Sequence, residues 1–415
     1  MIRGTLAGAL IAALALAGCG GGGGASTTRS LDRTIDVYSS LPLQGPSSSQ
    51  GDAILNGIKL ALSQADGRAG RWTVDYRSLD DSSAASGIWD PGQTEANAQK
   101  AASDPKTVLY LGELDSDASA LSIPILNQAG IAQISPASTY AGLTTQLAGD
   151  ATGEPMNYNP TGTRTFLRLV PIDSIQAAAD LIAMKQVGCQ KVAVADDGGL
   201  YGTGLAKMLE LEQRLYGVSI ASTTVIDPRA ASFDSYAAAI AAIGADCFFF
   251  AGRVSSGAVA FTEALHTALP AAKIFGGDGV CTAGFMNPKL GGVPRAMDRL
   301  IECTAPAGGT LRAAAYSAFL KAYKARYGDH HPDPYAVYGY EAMKLGLQTI
   351  ARLGHRGADR SAVRAALFST QGRQSAIGTY GFQVNGETTL AAYGLYRAGP
   401  GGYPVLLRTI APGST

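Results

Sequence analysis

Short apolar runs alternate with amphipathic stretches along most of this chain, and the segment Thr107 to Thr139 shows the rhythm most plainly. Val108 to Leu111 is apolar, Gly112 turns it into the polar stretch GELDSD, Ala118 to Gln128 has the spacing of a helix, and Gly130 supplies a helix stop. A second apolar run, Ile131 to Ile134, ends in another polar loop, Ser135-Pro136-Ala137-Ser138-Thr139. Strand, loop, helix, strand, loop predicts a βαβ unit, whose right-handed crossover makes the two strands parallel. Both polar loops then fall at carboxyl ends of strands, where open α/β sheets bind ligands. Neither loop contains His, Cys or Lys. Hydroxyls, backbone amides and a few carboxylates suit holding a small polar molecule better than transforming one.

The same alternation extends in both directions. Thr34 to Leu41 and Trp72 to Leu79 have strand patterns, with a helix beginning near Gly51 between them and another around Thr94 to Ala102. Thr144 to Gly162 is polar and reads as a surface loop. Asp173 and Gln176 are spaced to cap a helix start. Strands are then expected at Lys191 to Ala195, Val218 to Val225, Phe248 to Ala251 and Ile274 to Phe275, with helices at Gly202 to Tyr216, Phe233 to Ile243 and Ser256 to Ala268. A break near Thr144 to Val170 divides the β-α pattern into two doubly wound lobes. A strand at Arg299 to Cys303, helices at Leu311 to Tyr327, Tyr335 to Arg352 and Ser361 to Phe368, and β-like segments complete the chain.

Composition narrows the picture. With 415 residues, 46% of them hydrophobic, the chain has material for about two domains. Its 33 basic and 33 acidic residues balance, which argues against nucleic acid as a partner. The start has a positive residue, Arg3, and an apolar run from Leu6 to Ala17 that is too short to span a bilayer. Leu16-Ala17-Gly18-Cys19 resembles a bacterial lipobox, which implies a signal peptide over residues 1–18, acylation of Cys19, and a flexible tether over residues 19–34. Four further cysteines stand in what would be an oxidising compartment. Cys189 and Cys247 each precede a strand-like run, and would form a disulfide if those strands are neighbours; Cys281 and Cys303 make the natural second pair, with four buried free thiols as the alternative. The absence of Cys-x-x-Cys with nearby His argues against zinc.

Six segments together resemble the type I periplasmic binding proteins, in the leucine/isoleucine/valine-binding branch: SLPLQGPSSSQGDAILNGIKLALSQA, GELDSDASALSIPILNQAGIAQISPAST, ADDGGLYGTGLA, FGGDGV, PYAVYGYEAMKLGLQTI and TYGFQVNGE. They stand in family order between about Ile35 and Arg397. The resemblance implies two parallel-sheet α/β lobes joined by three crossovers and closing on a small ligand. It places lobe I at Ile35–Arg168 plus Ala305–Thr379, and lobe II at Leu169–Thr304 plus Tyr380–Arg408. It further implies that Ser116, the backbone N–H of Ala137 and Thr139, with Ser138 in the same loop, grip an α-carboxylate, and that Tyr201 and Asp278 meet an ammonium group. Hydrogen bonds to a charged acceptor contribute ~1.5–3 kcal/mol each, so several donors suit a buried carboxylate. Asp278 stands among glycines that would let its backbone approach a ligand.

Two positions depart from the pattern. Gln50 aligns where relatives often carry an aromatic, and Arg253 follows FFFAG where an aromatic is usual, so the pocket is more polar than one built for leucine. Arg253 has three readings: pairing with Asp278, meeting an acidic ligand group, or facing solvent. An enzyme is disfavoured. Gly202-Thr203-Gly204-Leu205-Ala206-Lys207 lacks the third glycine of a dinucleotide fingerprint and reads better as a helix start. His330 and His331 lie in the proline-bounded HHPDP, and no Gly-x-Ser-x-Gly or His-Glu-x-x-His occurs. The expectation is therefore a monomeric, non-catalytic solute-binding protein without cofactor or metal, held to the membrane by its lipid, that passes an amino acid or similar solute to the permease subunits of an ABC importer. The alternative is a ligand-sensing protein of the same fold that binds an amide or another small metabolite.

Overall fold

A computed structural model of the chain describes residues 33–83, 88–147, 152–307, 313–329 and 331–413. The expected signal peptide and Cys19 lie outside these residues, as does all of the tether but its last two positions. From Thr34 onward the chain forms two large sheets. The first has six strands, in the order Arg68–Ala69, Trp72–Asp80, Thr34–Leu41, Thr107–Leu111, Ala132–Ser135, Phe166–Arg168, parallel except at the short first strand. The second has seven, in the order Pro404–Ile410, Tyr393–Ala398, Ile301–Pro306, Lys273–Gly276, Cys247–Ala251, Lys191–Asp196, Ser219–Val225. Its two C-terminal strands run antiparallel and close one edge.

Helices cover both faces of the parallel strands, which explains why those strands are near-continuous apolar runs rather than alternating ones. CFFFA at Cys247–Ala251 and TVLYL at Thr107–Leu111 are buried at every position. Both expected disulfides form, Cys189–Cys247 and Cys281–Cys303. The second ties the turn after Asp278 to the neighbouring strand Ile301–Pro306.

The chain returns to the first sheet after residue 306. Helix Ala336–Leu353 packs on helix Ser48–Gln64 with the two backbones nearly touching: a Cβ on Gly57 would lie 2.0 Å from Ala336 O, and one on Gly339 would lie 2.3 Å from Ile54 O. This approach brings Tyr335, just before the second helix, to the space between the sheets.

Several local expectations give way to longer-range packing. Ile301–Pro306 pairs wholly within the second sheet, and Tyr380 and Phe382 pack in the core of the first, so both crossings fall a few residues later than the sequence suggests. Asp173 does not cap its helix; it occupies the first turn of Asp173–Gln186, with Ile172 at the cap, and Gln176 Nε2 donates instead to Thr304 Oγ1 at 3.1 Å. The stretch read as a surface loop buries Thr144, Glu154 and Asn159. There Tyr140 donates to Glu154 Oε2 at 2.8 Å and Arg168 Nη2 to Thr144 Oγ1 at 2.6 Å. Gly202 and Gly204 lie inside the first turns of helix Leu200–Tyr216, as the helix-start reading requires.

Candidate functional site

The cleft between the sheets is lined by strand ends. Ser116, within the first sheet's GELDSD segment, opens helix Ser116–Gln128 and lines the cleft, while its hydroxyl accepts from Tyr140 N at 3.2 Å. Ala137 and Thr139 follow strand Ala132–Ser135. From the second sheet, Arg253 follows Cys247–Ala251 and Asp278 follows Lys273–Gly276, while Tyr201 lies in the first turn of its helix. Ser47, Gln50, Leu114, Asp115, Ser116, Ala137, Thr139, Tyr201, Arg253, Asp278, Gly279 and Tyr335 surround about 380 Å³ of space, counted with its opening to solvent.

Seven of the eight expected binding residues meet here; Ser138 does not. Its hydroxyl turns inward, 2.8 Å from Ser119 Oγ and 3.2 Å from the carbonyl of Glu113, because the loop closes onto the preceding strand. Ser135 governs that closure by donating to Glu113 O at 2.8 Å while accepting from Ala137 N at 3.1 Å and Ser138 N at 2.8 Å. The Ala137 amide thus already has a partner, which a ligand carboxylate would share or displace. Gln50 is buried with no partner for its Nε2.

On the opposite wall, Asp278 Oδ2 accepts the phenolic hydrogen of Tyr335, which reaches it from the first sheet's side. Tyr201 stands beside the same carboxyl, and its oxygen accepts from Gly279 N at 3.3 Å. Asp278 Oδ1 is buried and has no hydrogen-bond partner. Burial pushes this carboxyl above the ordinary carboxylate range, against the opposing pull of Tyr201, Tyr335 and Gln176. The neighbouring glycines make room for protein rather than for a ligand. A Cβ on Gly277 would lie 2.3 Å from Tyr201 Oη, and one on Gly279 would lie 2.5 Å from Gly252 O.

Arg253 does not pair with Asp278. Its Nε lies 3.1 Å from Asp197 Oδ2, and its Nη1 lies 2.9 Å from Asp117 Oδ2 and 3.6 Å from Asp115 Oδ1. Burial alone would lower its pKa; the three carboxylates outweigh that and hold it above its usual value. Burial also raises Asp115 to about 6, with Arg253 opposing. Tyr335, Asp115 and Ser47 were not among the expected site residues. Asp115 stood in a loop already marked as polar and acidic, and Tyr335 in the segment PYAVYGYE, where a tyrosine just ahead of a long helix was the available signal.

Two α/β lobes with a small polar cleft between their strand ends define a solute-binding protein. The chain belongs to the periplasmic binding protein family, whose sequence profile matches residues 35–402. Within it the relatives are of the leucine/isoleucine/valine-binding type. A Leu/Ile/Val-binding protein homolog of Brucella melitensis is 24% identical over 371 residues, covering 88% of this chain and 91% of its own. The Leu/Ile/Val-binding protein BraC3 of Rhizobium johnstonii is 24% identical over 86% of this chain and 89% of its own. Among solved structures, a leucine-binding protein from Thermotoga maritima superposes with a TM-score of 0.76 at 21% identity, over 92% of this chain and 100% of its own. An ABC-transporter solute-binding protein from R. palustris in complex with benzoate gives 0.75 at 21% identity, over 91% and 97%. These relatives bind solutes rather than convert them. The family is extracytoplasmic, and among the described residues no helix is long and apolar enough to cross a membrane.

Proposed function

We propose that this protein captures a small amino acid, or a closely related zwitterion, outside the cytoplasm and presents it to the permease of an ABC importer while tethered through an acylated Cys19. Residues up to 168 and from about 307 to 382 act as one lobe, and the remainder of the two-sheet body as the other; closure brings the two walls onto the ligand. Ser116, Ala137 N and Thr139 hold the carboxylate, while Tyr201, Tyr335 and Asp278 receive the ammonium.

The observation that carries this reading is Asp278 Oδ1, a buried carboxylate oxygen with no partner in the wall of the cavity. A buried anion without a counter-charge is costly, and an ammonium group supplies one. The structures of relatives span isoleucine and benzoate complexes. A benzoate brings no positive charge to Asp278, and among the described residues the one cation lining the cleft, Arg253, is already engaged by carboxylates. The charge balance therefore favours the amino acid.

A thermal-shift screen over amino acids, small amides, urea-like compounds, short carboxylates and hydroxybenzoates, followed by calorimetry on the hits, tests the assignment. An amine-bearing acid should raise Tm and bind. Binding of benzoates with no response to any amine would overturn it.

A further inference from the structure

Arg253 and Asp117 come from opposite sides of the cleft, and what they do there does not require a ligand. Asp197 fixes Arg253 from its own side. Its buried carboxylate accepts from the backbone N–H of Arg253 at 3.2 Å, from Ser256 Oγ at 2.6 Å and from Gly199 N at 3.1 Å, besides the guanidinium Nε at 3.1 Å. With Nε committed, Nη1 points across the cleft to Asp117 Oδ2 at 2.9 Å. The other oxygen of Asp117 accepts from Leu200 N at 2.9 Å. Leu200 is the first residue of the 17-residue helix Leu200–Tyr216, whose cap, Gly199, offers no side-chain bond. The leading amides of a helix lack partners of their own and favour an anion. Asp117, from the first sheet's side, thus caps a helix of the second sheet's side and binds its arginine. Both bonds exist only while the two sides are together. Asp117 itself does not line the cavity.

We propose that Asp117 and Arg253 form an interlobe latch, positioning residues that hold the cleft closed independently of ligand contacts. The latch rests on the reading of the cleft as one that opens and closes. A protein-borne ion pair made only in the closed state adds to whatever the ligand contributes, so the ligand-free protein spends part of its time closed and bound solute leaves slowly.

Hydrogen exchange in the full chain without ligand gives the first test. The Leu200 amide has no partner within its helix, so its protection reports the bond to Asp117. It should be protected in the wild type and exchange about 10-fold faster in D117A and in R253Q, because two bonds sharing one carboxylate are coupled. For a ligand found in the screen, each variant should raise koff about 10-fold with little change in kon, and D117A/R253Q should cost less than the two single variants added together. An unprotected Leu200 amide in the wild type, unchanged exchange in R253Q, or losses that add in the double variant would overturn the latch. If no amino acid binds, the amino-acid assignment fails, yet the exchange result still decides the latch because it is measured without ligand. The koff of D117A separates closure from ligand contact, since Asp117 lies outside the cavity lining.

Discussion

The two walls of the cleft are built on different principles. The first-sheet wall offers the neutral donors Ser116, Ala137 N and Thr139 beside one carboxylate, Asp115, and its serine turn is braced from behind, through Ser135, Ser138, Ser119 and the carbonyl of Glu113. The second-sheet wall carries charge in Asp278, Arg253 and Asp197, and two of these are completed from across the cleft, Asp278 by Tyr335 and Arg253 by Asp117. One wall is therefore finished before closure, and the other only when the sides meet. That asymmetry suits a capture device: a preorganised half receives the solute, and the charged half commits it.

The sharpest way to break this comparison is to neutralise the charged wall. Asp278→Asn keeps the shape and removes the anion. Affinity for an amine-bearing ligand should fall about 100-fold, the scale of a lost charge-assisted bond to a buried group, with circular dichroism unchanged. Retained affinity in calorimetry would mean that the ammonium is held elsewhere. The wild type should also lose affinity as pH falls. Burial raises the carboxyl of Asp278, so it takes up a proton earlier than an ordinary aspartate and then no longer offers a negative charge. Calorimetry from pH 7.5 to pH 5 checks the sign.

The neutral wall should yield more gently. Ser116→Ala or Thr139→Val each removes one donor among several, and each should cost about 10-fold in affinity. Ser138→Ala tests the difference between lining and bracing. Because its hydroxyl faces Ser119 and the loop carbonyls, it should lower Tm more than it lowers affinity. A Ser138 variant that weakened binding while leaving Tm intact would return that residue to the cleft. Tyr335→Phe should have a smaller effect still, a loss of about 3-fold in affinity from one phenol withdrawn from Asp278.

How much of this was legible in the sequence follows from the distance over which each feature is encoded. Buried parallel strands are continuous apolar runs, so KVAVAD and CFFFA declared themselves, and the polar loops at their carboxyl ends marked the cleft. Spacing along a loop does not encode direction. Ser138 and Thr139 are adjacent, yet one turns into the protein and the other lines the cleft, because Ser135 pulls the turn closed. Arg253 was ambiguous for another reason: its partner Asp117 lies 136 residues away and belongs to the other side of the cleft. Tyr335 reaches Asp278 across 57 residues by way of a helix–helix contact that glycines permit. Asp173 and Gln176 had the right local spacing for a cap, but Gln176 found a stronger use against Thr304 in a neighbouring strand.

The smallest effect probes what lies behind the neutral wall. Glu113, whose carbonyl anchors Ser135 and Ser138, has a fully buried side chain that accepts from Tyr110 Oη at 2.8 Å. Burial pushes its carboxyl up to about 7, against hydrogen bonds from Tyr110, Asp81 and Ser40 that pull it down. Asp81 beside it is raised as well, by burial and then by the charge of Glu113. The unfolded chain releases the Glu113 proton near the ordinary value of 4.5, while the folded chain keeps it toward 7. Between those limits the native state binds more protons than the unfolded state, so stability falls as pH rises, by up to about 1.4 kcal/mol per pH unit for each whole proton. Glu113→Gln preserves the carbonyl that Tyr110 needs and removes one titration. Denaturant midpoints measured from pH 4.5 to 7.5 should therefore decline less steeply in E113Q than in the wild type. Equal slopes would show that Glu113 stays ionised in its buried position, and that the neutral wall is braced by a charge after all.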